Sequence, residues 1–168
     1  EKNIIKNKGF GHFRLTKNIS KNFYLEGFIQ AGFNDFLLME RRSLYGLGVR
    51  NILVDKKRTA LFGGVGFMSE REAYNTKLED DKNLLRSTNY INANFSIREN
   101  IQLINTVYFQ LSTVEEKDFR LLFESIFEYK LNENLEFSFE LNYRYDNQPH
   151  GDLGKNYYDV KNGITYRF

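Results

Sequence analysis

The chain contains no cysteine and no tryptophan, a single proline (Pro149) and two methionines in 168 residues. Without thiols, disulfides and thiolate metal centres are excluded. With one proline, nearly every residue keeps a backbone N–H to donate, which suits a chain dominated by sheet. No apolar run approaches the roughly 20 residues of a membrane-spanning helix, so a helical membrane protein is excluded. A formal charge of +2 is too small to point to a nucleic-acid partner. Zinc-ligand spacing is missing, and the runs Gly46-Leu47-Gly48 and Gly63-Gly64-Val65-Gly66 fall in strand-like segments rather than ahead of a helix, so they do not read as phosphate-cradling loops. No cofactor is expected. No signal-peptide pattern opens the chain at Glu1, which reads as the start of a mature form or of a fragment.

What is abundant is aromatic and charged at once. Phe (16) and Tyr (11) supply an aromatic content of 16%, while charged residues reach 27%, and the two classes alternate. In Leu135-Glu136-Phe137-Ser138-Phe139-Glu140-Leu141-Asn142-Tyr143-Arg144-Tyr145 every odd position is Leu, Phe or Tyr and every even one is polar. Strand side chains point to opposite faces with period two, so one face of this segment is apolar and the other polar. Phe23, Leu25, Ile29, Ala31 and Phe33 stand in the same way against Tyr24, Glu26 and Gln30. So do Phe119, Leu121, Phe123, Phe127 and Tyr129 against Arg120, Glu124 and Glu128. A mean hydropathy of −0.56 does not exclude a membrane, because barrel strands interleave polar residues.

Nine such segments are predicted, over 9–17, 22–33, 40–53, 58–70, 85–98, 101–112, 118–130, 134–146 and 157–168. Each is about long enough to cross a bilayer on a tilt, which takes roughly 9–11 residues. The fold class expected is all-β, an antiparallel up-and-down transmembrane β-barrel forming one domain over 1–168. Gly46, Gly48, Gly63, Gly64 and Gly66 mark bends or close packing within it. Short turns are expected near Asn18–Lys21, Asp55–Lys57, Glu99-Asn100 and Asn132-Glu133, with longer links at 71–84 and 147–156 and shorter ones at 34–39 and 113–117. Short turns at one rim and longer loops at the other are an outer-membrane arrangement. Nine strands is an odd number where an even one is usual, so at least one strand is expected before Glu1, giving about 10–12 in the complete protein.

Alternation alone does not say which face is inside, since a soluble ligand-binding barrel turns the pattern round. Three features favour polar-in. The apolar face is aromatic toward strand ends (Phe23, Phe33, Tyr143, Tyr145, Tyr158), as interfacial girdles are. The polar face carries both signs of charge in nearly every strand. The last strand closes on Tyr166 and Phe168, which resembles the C-terminal signal read by the outer-membrane barrel assembly machinery. Parity then predicts a lumen network of Arg14, Arg42, Arg50, Arg98, Arg120, Arg144 and Arg167 facing Glu26, Glu124, Glu128, Glu136, Glu140, Asp146 and Asp159. Comparable numbers of opposite charges suggest mutual neutralisation, because an unpaired charge there is costly.

Several local sequences carry a resemblance. Gly11-His12-Phe13-Arg14, Glu26-Gly27-Phe28-Ile29-Gln30, Arg41-Arg42-Ser43-Leu44-Tyr45-Gly46-Leu47-Gly48-Val49-Arg50, Asp118-Phe119-Arg120 and Tyr145-Asp146-Asn147-Gln148-Pro149 resemble the domain-of-unknown-function 481 family, whose members are read as outer-membrane barrels. The similarity runs from about Phe10 to Phe168. Members are generally longer at the N-terminus, and many carry a second proline where this chain has His150. The resemblance implies location and architecture and brings no catalytic residues.

Candidate chemistry is sparse. His12 is expected to point inward beside Arg14 as a hydrogen-bonded lumen residue, and His150 to be solvated in a long loop. Barrel lipid hydrolases need a His–Ser pair within reach of lipid. Ser125 and Asn105 fall on the apolar face of neighbouring strands, but no histidine accompanies them. Glu79-Asp80-Asp81 reads as a solvated acidic loop tip, lacking the spaced ligands of a calcium loop. The chain is therefore expected to be a non-enzymatic barrel of a bacterial outer membrane, structural or interacting, with a largely closed lumen. Its expected partners are outer-membrane lipids, the assembly machinery and a protein of a membrane complex. The alternatives are a narrow polar solute channel, a lipid-modifying hydrolase and a soluble binding barrel.

Overall fold

In the computed structural model, which describes residues 6–74, 82–115 and 117–168, the alternating segments form nine strands. They are β1 (Lys8–Ser20), β2 (Phe23–Asn34), β3 (Met39–Lys56), β4 (Thr59–Tyr74), β5 (Lys82–Arg98), β6 (Ile101–Ser112), β7 (Phe119–Lys130), β8 (Leu135–Asp146) and β9 (Asn156–Tyr166). They pair in sequence order in one sheet, every neighbour antiparallel. The predicted segments all become strands. The largest correction lies at 71–84, expected to be a loop. β4 runs on to Tyr74 and β5 starts at Lys82, because Met68, Glu70, Glu72 and Tyr74 continue the inward alternation. Glu79, Asp80 and Asp81 lie outside the described residues.

Connections β1–β2, β3–β4, β5–β6 and β7–β8 are short and share one rim. The segments 35–38, 113–115 and 147–155 lie at the other rim, where β4 ends and β5 begins. The 35–38 segment is a 3₁₀ turn (Asp35–Leu37) capped by the Asn34 side chain, which accepts a hydrogen bond from the Phe36 N–H at 3.0 Å. Bulges interrupt the ladders at Asn18/Ser20, Gly32/Asn34, Met39/Arg41, Ile52/Val54 and Ser96/Arg98, all near strand ends, where an extra residue sharpens the bend.

The sheet curls strongly. Side by side, the first and last of nine strands would stand roughly 38 Å apart at ~4.8 Å per strand. Instead the Lys8 Nζ of β1 lies 2.6 Å from the Asp159 Oδ2 of β9. The two edges face each other without backbone pairing, so among the described residues the sheet is not closed by hydrogen bonds. With all neighbours antiparallel, β1 and β9 run in the same direction.

At one corner two backbones meet directly. Gly48 and Gly66 stand opposite each other on β3 and β4, and a Cβ on Gly66 would lie 2.5 Å from the Leu47 carbonyl oxygen and 2.8 Å from the Gly48 Cα. Both obstacles are backbone, so no side-chain rotation relieves them. Gly66→Val is expected to lower stability by about 1–3 kcal/mol, the usual cost of overpacking, read as a lower urea midpoint of the folded protein. An unchanged midpoint would show that this corner opens freely.

Candidate functional site

The sheet turns its charged face inward and its apolar face outward. On β2, Glu26 is buried while Phe23, Leu25, Ile29 and Phe33 are exposed; on β9, Tyr158, Val160, Ile164 and Tyr166 are exposed. Among the described residues the buried hydrophobic side chains are Met39, Leu44, Met68 and Leu84, outnumbered by buried polar and charged ones. A charge is buried at this depth only where partners satisfy it.

Arg120 of β7 is the centre of that satisfaction. Its Nε donates to Asp146 Oδ2 at 2.8 Å, its Nη1 to Glu72 Oε1 at 2.8 Å and Glu70 Oε2 at 3.1 Å, and its Nη2 to Glu72 Oε2 at 2.8 Å. Arg86 of β5, with no exposed side-chain surface, donates to Glu70 Oε2 at 2.6 Å and forks onto Asp118 at 3.1 and 2.6 Å. Arg42 of β3 bonds Glu70 and lies 3.4 Å from Glu72. Arg144 of β8 reaches Asp146 at 2.8 Å. Four guanidinium groups thus meet Glu70, Glu72, Asp118 and Asp146. The planar forks of arginine suit such shared, bidentate geometry better than the point charge of lysine would.

The long-loop rim closes over this cluster. Tyr74 donates its hydroxyl to Glu72 Oε2 at 2.6 Å, and its ring stacks on His150 with centroids 3.3 Å apart. His150 is 3% exposed, not solvated as expected, because the 147–155 segment folds inward over the rim. Asn147 fastens that segment: its side chain accepts from the Phe119 N–H at 2.7 Å and donates to the Lys117 carbonyl.

A second cluster surrounds Glu26, which takes Arg50 at 3.2 Å, Arg14 at 3.7 Å and the Tyr90 hydroxyl at 2.8 Å. Arg14 also lies over the Phe28 and Tyr90 rings, and Arg50 over Tyr24 and Phe62. The cavity between the clusters measures about 380 Å³ and is lined by Arg14, Glu26, Gln30 and Glu124 among others. His12 faces it, sharing a 3.1 Å hydrogen bond between its Nδ1 and Gln30 Oε1. A third group lines the β8–β9 side. Lys161 meets Glu140 at 2.9 Å and Asp159 at 3.5 Å, and Arg167 meets Glu136 at 3.3 Å.

Most of the predicted network is therefore brought together. Arg98 is the clear departure: it is exposed beside the β5–β6 turn, past the Ser96/Arg98 bulge, and enters no ion pair among the described residues. Glu124 and Glu128 face inward but also make no ion pair among them. Of the five most buried charged residues among those described, four, Glu70, Glu72, Arg86 and Asp118, escaped prediction. Glu72 lay in the supposed loop. The other three sat at strand ends, where a charge ordinarily reads as solvated. The signal was present in the even-numbered run Met68, Glu70, Glu72 and Tyr74, facing Leu84 and Arg86. Asn105 and Ser125 are register partners on the outward face. Tyr166 and Phe168 point outward, ring edge to face at 5.2 Å.

Removing Arg120 leaves Glu72 buried without its main partner. Arg120→Ala is expected to destabilise the fold by about 3–5 kcal/mol, and adding Glu72→Gln to restore part of that loss by removing the orphaned charge. Urea denaturation of the two single variants and the double variant measures the coupling. Strictly additive losses would show that the two residues do not act together.

No curated protein matches this sequence. A family model described as "Protein of unknown function, DUF481" matches residues 3–168. That match covers every strand of the sheet, so the chain belongs to the DUF481 family of proteins of unknown function.

Proposed function

We propose that this protein is an integral β-barrel of a bacterial outer membrane whose lumen is plugged by its own paired charges, and that its role is structural or interactive rather than enzymatic. The observation that carries the reading is the inverted distribution of side chains. Phe67, Leu47, Tyr45, Ile164 and Phe13 are more than half exposed, while Glu70, Glu72, Arg86 and Arg120 are buried. Water rewards the opposite arrangement; a hydrocarbon surround rewards this one.

The dimensions support it. Outward residues of β8 run from Leu135 to Tyr145, roughly 33 Å of strand at ~3.3 Å per residue. At a tilt of about 40° this gives an apolar band about 25 Å tall, the height of outer-membrane barrels. Exposed aromatics at strand ends, Phe23, Phe33, Tyr158 and Tyr166, supply interfacial anchors. The non-enzymatic assignment rests on the Asn105–Ser125 pair, which has no histidine beside it on the outward face: His12 lines the interior cavity and His150 is buried at the rim.

The two interior spaces, about 380 and 640 Å³, favour a second reading, a narrow polar solute passage. Conductance separates the two. An eight-stranded barrel fills with side chains and porins of 16–18 strands do not, so at intermediate width the lining decides. Purified protein in planar bilayers is expected to show little steady conductance, and Arg120→Ala to raise it. A large, stable current from the unaltered protein would put the passage first.

Topology is tested separately. The 147–155 loop should face the cell exterior and the β3–β4 turn the periplasm. Cysteines at Asp152 and Lys57 are expected to react with an impermeant thiol reagent on intact cells at the first position only. Labelling at Lys57 alone would reverse the orientation, and retention of the protein in detergent-free soluble fractions would overturn the membrane assignment.

A further inference from the structure

β1 and β9 are the outer strands of the sheet, and among the described residues each keeps one free edge. Register identifies the backbone groups that line those edges. The Asp35 N–H donates to the Asn7 carbonyl oxygen at 2.9 Å, so in the ladder that follows Gly9, Gly11, Phe13 and Leu15 bond to β2. Bonded and unbonded pairs alternate in an antiparallel ladder, which leaves the N–H and C=O groups of Phe10, His12, Arg14 and Thr16 aimed away from the sheet. On the other edge, the Asp146 N–H donates to the Lys155 carbonyl oxygen and the Arg167 N–H to that of Asn134, each at 2.8 Å. Tyr157, Asp159, Lys161 and Gly163 therefore bond to β8, and Tyr158, Val160, Asn162 and Ile164 turn their backbone groups to the free edge.

The free groups of β1 belong to residues whose side chains face the lumen, such as His12 and Arg14. Those of β9 belong to outward residues, such as Tyr158 and Val160. Residues paired across an antiparallel ladder face the same way, and β1 and β9 run in the same direction, so the two edges have no antiparallel ladder to make with each other. One strand between them serves both: its outward residues bond to β9 and its inward residues to β1. Width agrees. Lys8 Nζ lies 2.6 Å from Asp159 Oδ2, and side chains of those lengths hold the edges within roughly 12 Å of each other there. One inserted strand needs two spacings, about 10 Å, whereas three strands need about 19 Å. The lumen also lies open along this line. Phe10 faces inward yet is 75% exposed, while Leu44 and Met68 on the middle strands are 6% and 2% exposed. The interior space of about 640 Å³ reaches both edges, touching Phe10 on one and Asp159 and Lys161 on the other.

We propose that the gap between β1 and β9 is a slot for one extended peptide strand, antiparallel to both edges, with polar side chains turned to the lumen and apolar ones to lipid. The inference rests on the membrane reading above, because hydrocarbon offers no partner to free N–H and C=O groups and a spanning sheet has to close. A second copy of this sheet does not fit the slot. Turned about an axis along the membrane normal, it would bring its β9 to β1 in parallel; bringing β1 to β1 antiparallel would invert one copy across the bilayer. A lone strand meets neither obstacle. It runs from the short-turn rim to the long-loop rim, the direction of β2 and β8, and ends beside the start of β1.

The test uses the 168-residue chain refolded in neutral detergent, with a synthetic peptide copying β8 (Leu135–Asp146), which has the required alternation. Native mass spectrometry reads stoichiometry, and amide exchange followed by NMR reads the edges. One peptide per protein is expected, with exchange slowed together at Phe10, His12 and Arg14 and at Val160 and Ile164. N-methylating the peptide at Glu136, Ser138 and Glu140 removes donors meant for β1 and is expected to weaken binding at least tenfold, as is scrambling the peptide so that its alternation is lost. Equal binding of either altered peptide would overturn the slot, as would slowed exchange at one edge only or more than one peptide per protein. Protection of both edges before peptide is added would also overturn it, assigning the gap to a direct β1–β9 ladder in a monomer or to a second copy in a dimer. Failure of the membrane reading is distinct: the protein would then leave detergent and fractionate as a soluble species. A protein that partitions into detergent yet takes up no peptide loses only the slot.

Discussion

The multiple pairing of Arg120 organises the interior. One guanidinium group touches Glu70, Glu72 and Asp146, and through those carboxylates it is joined to Arg86, Arg42 and Arg144. The strands that contribute, β3, β4, β5, β7 and β8, are not all neighbours in the sheet. Their side chains meet only because the sheet is curled, and the cluster in turn holds the curl, since flattening it would pull each charge from its partner inside a poorly hydrated space. The loop carrying His150 and the Tyr74 hydroxyl rest on the same cluster, so the closed rim depends on it too.

The rest of the structure follows from spending the interior on charge. A soluble domain of this length would stabilise itself chiefly by burying apolar surface; here that surface is outside and contributes only against an apolar surround. Inside, large rings fill the space that charges leave: Tyr90 and Tyr108 lie with centroids 5.5 Å apart, and Phe28 sits under Arg14. Gly46 and Gly64 permit this crowding. A Cβ on Gly46 would meet the Phe28 ring of β2, and one on Gly64 the Tyr90 ring of β5.

Much of this was legible in the amino-acid order, and the reason is the period-two rule. Every segment read as alternating became a strand, and the inward parity of Arg14, Glu26, Arg42, Arg50, Arg120, Arg144, Asp146, Asp159 and Arg167 followed without knowledge of their partners. Partners were not legible, because pairing across a curled sheet depends on strand stagger, which no local pattern encodes. Strand ends were the other weakness. Glu70 and Glu72 look like the polar approach to a loop, yet the strand continues through them. Arg98 shows the converse: it has inward parity, but a bulge at the turn leaves it in the open. His150 was misjudged for a similar reason, since the inward folding of its loop depends on Asn147 reaching Phe119 and Lys117.

The shared pairing within the cluster also governs how this sequence can change over generations. On the outer face, one apolar residue can replace another in a single step, since no ion pair there ties it to a neighbour's identity. Within the plug, a lone exchange strands a charge, whereas a concerted exchange of an arginine and its carboxylate for two uncharged residues leaves nothing uncompensated. The interior of such a curled sheet should therefore drift in linked pairs and trios, with Glu70 and Arg120, each shared among several partners, the slowest to move.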